Sequence, residues 1–155
     1  MHHIFCTSDS ETSRHPSRHL HIVFHAVSKL PPSAHIPPIL IFANKSDLLS
    51  TSSSSTRETV AAERVRTILE RELEKRRQSS LTGVGVGGLG ETGEEDDGAI
   101  QGGLETLSGG PFTFATWEGG EVTSIGGCVE KQTQEKLEAT TMSGLVGLES
   151  WLDGL

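Results

Sequence analysis

The first regular pattern of apolar positions along the chain begins at Leu20. Leu20, Val23, Phe24, Val27 and Leu30 recur at helical spacing and predict a helix with one apolar face. Pro31-Pro32 ends it, because proline has no N–H to donate and disfavours helix in the residue before it. After Pro37-Pro38 the pattern becomes an unbroken apolar run, Ile39-Leu40-Ile41-Phe42-Ala43. Such a run suits a strand buried on both faces, as in a parallel sheet covered by helices. It stops at Asn44-Lys45-Ser46-Asp47. A serine-rich loop from Ser50 to Thr56 then leads to a second helix, Val60 to Gln78, with Val65, Ile68, Leu69 and Leu73 inward and Glu and Arg outward.

Further on, Phe112-Thr113-Phe114 and Glu121 to Ile125 have strand character, with Trp117-Glu118-Gly119-Gly120 as the turn between them and Gly126-Gly127 closing the second. A polar loop over 130–142 precedes a last helix that carries Leu145, Leu148, Leu152 and Leu155 on one face, with Trp151 beside them. The order helix, strand, helix, strand, helix predicts an α/β layer fold with a mostly parallel sheet.

Composition sets limits on how much of the chain packs. Apolar residues make up 34% and aromatics 5%, against 18 glycines in 155 residues. Ordering a residue costs about 1–2 kcal/mol of conformational entropy, so a compact part of roughly 90–110 residues is expected. Residues 1–17 are polar and aperiodic and are expected to be disordered; 79–110 are glycine-rich and acidic and are expected to form a mobile insertion. The domain reading is therefore 1–17 as a disordered segment and 18–155 as the folded part.

A formal charge of −8 argues against nucleic-acid binding, which draws its affinity from Lys and Arg neutralising phosphates. The densest basic stretch, Lys75-Arg76-Arg77, follows Glu70, Glu72 and Glu74 and reads as the end of a solvated helix. Two cysteines far apart, Cys6 and Cys128, make no disulfide framework, so a reducing compartment is the default. No apolar run approaches the roughly 20 residues of a membrane span, and the amino terminus lacks a signal-peptide pattern. The chain as it stands is expected to be soluble.

The chemistry concentrates in Asn44-Lys45-Ser46-Asp47, an N-K-x-D motif at the carboxyl end of a buried strand, where ligands of open α/β sheets bind. An ionised Asp47 accepts two hydrogen bonds, and guanine offers a matching pair of donors at N1 and N2; adenine has no such pair. Asn44 can tie the loop together, and the Lys45 stem can lie along the purine face. The same residues also suit a plain strand-end turn, which Asn and Asp favour.

The stretch from Pro37 to Leu49 resembles the base-specificity strand of the signal recognition particle receptor beta subunit family, within the Ras-like small GTPases. The Val65–Leu73 helix, the Trp117-Glu118-Gly119-Gly120-Glu121-Val122 segment and Gly147-Leu148-Glu149-Ser150-Trp151-Leu152 agree in the same order, and the helix from Leu20 to Leu30 matches the one before the strand. The likeness covers about 18–155 and is to fungal-type members. It implies the carboxy-terminal part of a Ras-like P-loop GTPase fold and GTP as ligand. The implied role is docking of the receptor alpha subunit at the endoplasmic reticulum membrane for co-translational targeting. The family's second guanine contact, a backbone amide, would fall near Gly127-Cys128-Val129, so Cys128 joins Asn44, Lys45 and Asp47 as a candidate; Cys128 also suits a buried apolar position. No G-x-x-x-x-G-K-[ST] occurs in the sequence to hold the β- and γ-phosphates and Mg²⁺, and no D-x-x-G switch precedes residue 18. The chain is accordingly expected to be a truncated form that does not hydrolyse GTP. The alternatives are a non-catalytic binding module and a nonfunctional product.

Three other patterns carry less. Gly83-Val84-Gly85-Val86-Gly87-Gly88 fits G-x-G-x-x-G but lacks the preceding strand and following helix of a dinucleotide site, and reads as linker. His21 and His25 stand one helical turn apart, yet further zinc ligands (His15, His19, Cys6) fall in the aperiodic segment. Glu94-Glu95-Asp96-Asp97 lacks the spacing of a calcium loop.

Overall fold

The computed structural model describes residues 3–7, 16–50, 54–82, 100–128 and 145–155, with side chains from residue 16 onward and excluding 54–56. Its elements, in chain order, are β1 (His3–Thr7), α1 (Pro16–Ser28), β2 (Ile39–Ala43), a short 3-10 turn (Ser46–Leu48), α2 (Ser54–Thr82), β3 (Val122–Gly126) and α3 (Val146–Asp153). The three strands form a parallel sheet in sequence order, β1-β2-β3. The chain is thus a mixed α/β structure around a parallel sheet, as the alternation of patterns predicts.

Beta-2 is central and buried along its whole length. Ile39 and Ile41 join Leu20, Phe24 and Val27 of α1 and Leu69 and Leu73 of α2 in one cluster. Both crossovers step the same way across the sheet, and a common hand places both helices on one face. Leu40 and Phe42 alternate to the opposite face. There the register pairs Phe42 with Ile125, and α3 closes on that residue: a side chain at Gly147 would lie 2.7 Å from Ile125 Cγ2.

Several expectations need correction. Residues 3–7, expected without order, pair with β2 from His3↔Ile39 to Thr7↔Ala43. Three apolar or sulfur residues in five give too short a pattern to stand out in a polar surround. Alpha-1 starts at Pro16, before the first apolar position, because proline suits the first helical turn, where its missing N–H would have no partner. Alpha-2 likewise begins at Ser54 inside the serine tract and runs through Thr82. Ile68 is 52% exposed, since Leu69 and Leu73 define the buried stripe and Ile68 falls off it. Leu30 lies beyond α1 and is exposed, and α3 buries no residue among those described, with Leu152 and Leu155 exposed. The loop expected over 130–142 lies outside the described residues.

The expected mobile insertion at 79–110 divides into three. Residues 79–82 are the last turn of α2, 83–99 lie outside the described residues, and 100–110 pack: Leu104 and Thr106 are buried. Nor is Phe112-Thr113-Phe114 a strand. Its backbone amides bond to α2 carboxylates, Phe112 N–H to Glu74 Oε2 at 2.8 Å and Phe114 N–H to Glu70 Oε1 at 2.9 Å. Those donors are therefore spent on helix side chains, and no ladder forms. Phe112, Phe114 and Trp117 then drop onto Phe24, with Trp117 stacked at 4.1 Å between centroids and the two Phe rings each at 6.0 Å. Trp117 Nε1–H donates to the Gly103 carbonyl at 2.9 Å, and His21 Nε2 to the Gly102 carbonyl at 3.0 Å. The loop from 100 to 118 is thus a strap tied across α1 and α2.

Candidate functional site

All three strands run the same way, so the connections after β2 and β3 emerge at one edge of the sheet. Residues 44–47 occupy the first of them. Lys45 takes the left-handed conformation, φ 63°, and the Asn44 side chain fixes it: Oδ1 accepts the Lys45 N–H at 2.8 Å. A non-glycine residue in this region costs roughly 1 kcal/mol, and the local Asn bond offsets part of that. Ser46 and Asp47 then enter the 3-10 turn, with Leu48 N–H on the Lys45 carbonyl at 3.2 Å and Leu49 N–H on the Ser46 carbonyl at 3.1 Å.

The second connection is stitched to the first. Gly127 N–H donates to the Ala43 carbonyl at 3.0 Å, and Ser46 N–H donates to the Gly127 carbonyl at 3.1 Å. The candidate residues at 44–47 and the segment carrying Cys128 are therefore neighbours, although 81 positions separate Asp47 from Cys128. Cys128 is half-buried. Asp47 is exposed, Asn44 and Lys45 are half-buried, and Ser46 is buried. Among the described residues, neither the Asp47 carboxylate nor the Lys45 ammonium has an ion-pair or hydrogen-bond partner.

A close approach of backbones sets where this edge lies. A side chain on Gly126 would fall 2.0 Å from the Glu58 carbonyl oxygen, so the first turns of α2 press directly on the end of β3. Three contributors were not singled out from sequence: Ser46, whose amide bridges the two connections, Gly127, which receives it, and Gly126, which admits α2. The Gly126-Gly127 pair reads from the sequence as the end of a strand, and Gly127 also falls in the segment where the resemblance puts the second guanine contact.

Chemically the edge offers one carboxylate and one ammonium, both without a partner among the described residues, on a loop of fixed backbone. That set can accept two donors from a planar base and cover its face. It includes nothing for phosphates, and no trio of His, Cys, Asp or Glu able to hold a metal ion occurs among the described residues. Of the paired histidines of α1, His21 bonds the Gly102 carbonyl, and burial lowers its pKa. Gly83–Gly88 and Glu94–Asp97 lie outside the described residues. Among those described, no helix is long and apolar enough to cross a membrane. No family model, curated protein or solved structure matches the chain.

Proposed function

We propose that the chain is the guanine-recognising, carboxy-terminal part of a Ras-like domain of the signal recognition particle receptor beta type, and that residues 44–47 select the base. The observation that carries this reading is the stitched edge: an N-K-x-D loop with an unpartnered Asp47, fixed at Lys45 by Asn44 and bonded through Ser46 to the Gly127 carbonyl. Asp47 would accept the N1 and N2 donors of guanine, Lys45 would cover the ring, and a backbone amide near Cys128 would meet the base from the adjoining connection. The parallel sheet and the three helices among the described residues are compatible with the later part of such a domain, and the resemblance of the segments quoted above adds the docking of a receptor alpha subunit at the endoplasmic reticulum membrane. The residues fit the base end of GTP. With no G-x-x-x-x-G-K-[ST] in the sequence, no residue here is assigned to phosphates or Mg²⁺, and no hydrolytic step is attributed to the chain.

Amide chemical shifts of the 155-residue chain, followed during titration with guanosine and separately with adenosine, test the base reading. Guanosine should move the signals of 44–48 and 127–128 with a dissociation constant on the order of 1 mM, as befits a fragment without phosphate contacts. Adenosine should leave them in place. Equal responses to both nucleosides, or none to guanosine, would overturn it.

A further inference from the structure

At the other end of β2, a cavity of about 380 Å³ opens between the α1–β2 connection and the strap, lined by Leu30, Pro31, Pro32, Ile36 and Trp117 among others. Glu105 and Glu118 line it too. Within the strap Thr106 bridges antiparallel to Trp117, and Glu118 N–H donates to the Glu105 carbonyl at 3.2 Å, so the two glutamates stand opposite each other. Side chains opposed in this way lie about 5 Å apart at Cβ, and like charges there repel. One carboxylate oxygen of Glu105 accepts the Gly103 N–H at 3.0 Å, and its charge also acts on the His21 ring; among the described residues, neither glutamate forms a salt bridge.

An uncompensated acidic pair beside a partly apolar cavity selects its occupant by charge. Pro31 and Pro32 have no N–H to offer an anion, and Leu30 and Ile36 remain exposed. We propose that this groove docks an extended segment of a partner protein carrying an arginine next to aliphatic residues, with the guanidinium between Glu105 and Glu118 and the aliphatic side chains against Leu30 and Ile36. Guanidinium suits the place better than ammonium, because its planar fork bonds two carboxylates at once and its weaker hydration tolerates an apolar wall. The walls are rigid where this requires it. Gly119 lies against the Trp117 ring, where a side chain would fall 2.1 Å from Cζ2, and Gly120, at φ 125°, lies against Ile36. The groove lies across the sheet from residues 44–47, so this docking stands or falls separately from base recognition.

The probe is the capped tripeptide Leu-Arg-Leu, titrated into the intact 155-residue chain while amide shifts are followed, with the Leu-citrulline-Leu peptide as the uncharged isostere. Signals of 27–36, 105 and 117–119 should move with the arginine peptide. Binding of the citrulline peptide, and of the arginine peptide to Glu118→Gln, should each be about tenfold weaker. Glu118 is exposed, so the variant retains the fold, and its unperturbed spectrum outside the groove checks that. Equal affinity for the two peptides, unchanged affinity in Glu118→Gln, or no shift in the groove signals overturns the proposal.

Discussion

Replacing Gly126 with alanine tests whether the packing of α2 on the sheet sets the geometry of the candidate site. The added Cβ would lie 2.0 Å from the Glu58 carbonyl oxygen, 2.7 Å from its carbon and 2.8 Å from the Glu58 Cα. An ordinary carbon–oxygen contact is about 3.3 Å, so helix and strand must separate by more than about 1 Å, and every atom in the way is backbone. Overpacking of this kind costs about 3 kcal/mol at the upper end, and the lost chain freedom of glycine in the unfolded state returns up to about 1 kcal/mol, leaving a destabilisation of about 2 kcal/mol. Urea unfolding followed by tryptophan fluorescence measures it as a lower midpoint at unchanged slope. The strain should also reach the site. Gly127, the next residue, holds both Ala43 and Ser46, so exchange of the Ser46 and Gly127 amides should accelerate more than that of amides within α1. Gly109→Ala is the comparison: nothing lies within 4 Å of its Cβ, and only its φ of 63° opposes alanine, for about 1 kcal/mol. If Gly126→Ala unfolds within about 0.5 kcal/mol of the parent, and Ser46 exchange does not change, the close approach does not constrain the site.

Other perturbations separate the strap from the sheet. Phe24→Ala removes the ring on which Phe112, Phe114 and Trp117 converge and should destabilise the fold by about 4 kcal/mol in denaturant titration. Glu74→Ala leaves the Phe112 amide and Arg77 without their shared carboxylate and should cost about 2 kcal/mol, with faster exchange at Phe112 than at Ile41. Acid should act in two stages. Burial holds His21 below its ordinary 6.5, so the unfolded chain binds the proton first and stability declines as pH falls through 6.5. The Arg77 hydrogen bonds hold Glu74 at about 2 against an ordinary 4.5, so its contribution is complete above 4.5 and is lost as pH falls toward 2. His21→Gln should flatten the first stage and Glu74→Gln the second, each read from urea midpoints across pH. Asp47→Asn replaces two acceptors with one acceptor and one donor. Guanosine shifts at 44–48 should disappear while xanthosine, which carries a carbonyl where guanine has its amino group, gains them.

Much of the sheet was legible in the sequence because burial on both faces leaves a pattern that polar neighbours do not blur. Ile39 to Ala43 is apolar at every position, and it is the central strand. Val122 to Gly126 was displaced by only one residue from its expected span. Edge strand β1 gave no such signal, since its residues are bounded by His and Ser and its order depends on a partner 36 positions away. The strap was illegible for a different reason. Glycine and acid content at 79–110 suggests a linker, but packing of the strap comes from a few large residues, Leu104, Phe112, Phe114 and Trp117, with bonds from α1 to Gly102 and from α2 to the Phe112 and Phe114 amides. Composition averages over such anchors, whereas Phe112, Phe114 and Trp117 each meet the Phe24 ring in a specific geometry.

The site divides along the same line. Asn44, Lys45 and Asp47 could be proposed from the sequence because their side chains and spacing suggest a chemistry, whereas Ser46, Gly126 and Gly127 act through backbone atoms that any side-chain pattern ignores. Under the base-recognition reading, their effect is to hold the motif against the second connection. A strand-end turn requires only the Asn44 bond to Lys45 and the two bonds of the 3-10 turn, all within six residues. The bond from Gly127 to Ala43 is the last rung of the β2–β3 ladder, whereas the bond from Ser46 to Gly127 belongs to neither turn nor ladder and ties the loop to the second connection. Under the proposed reading, two connections joined at the carboxyl edge of a parallel sheet, with the Asp47 carboxylate exposed, would present their acceptors to a planar ligand. It needs acceptors that do not reorganise when it arrives. The exposed Asp47 and the rigid backbone beneath it are thus two halves of one argument, and base-dependent amide shifts must appear on both connections together.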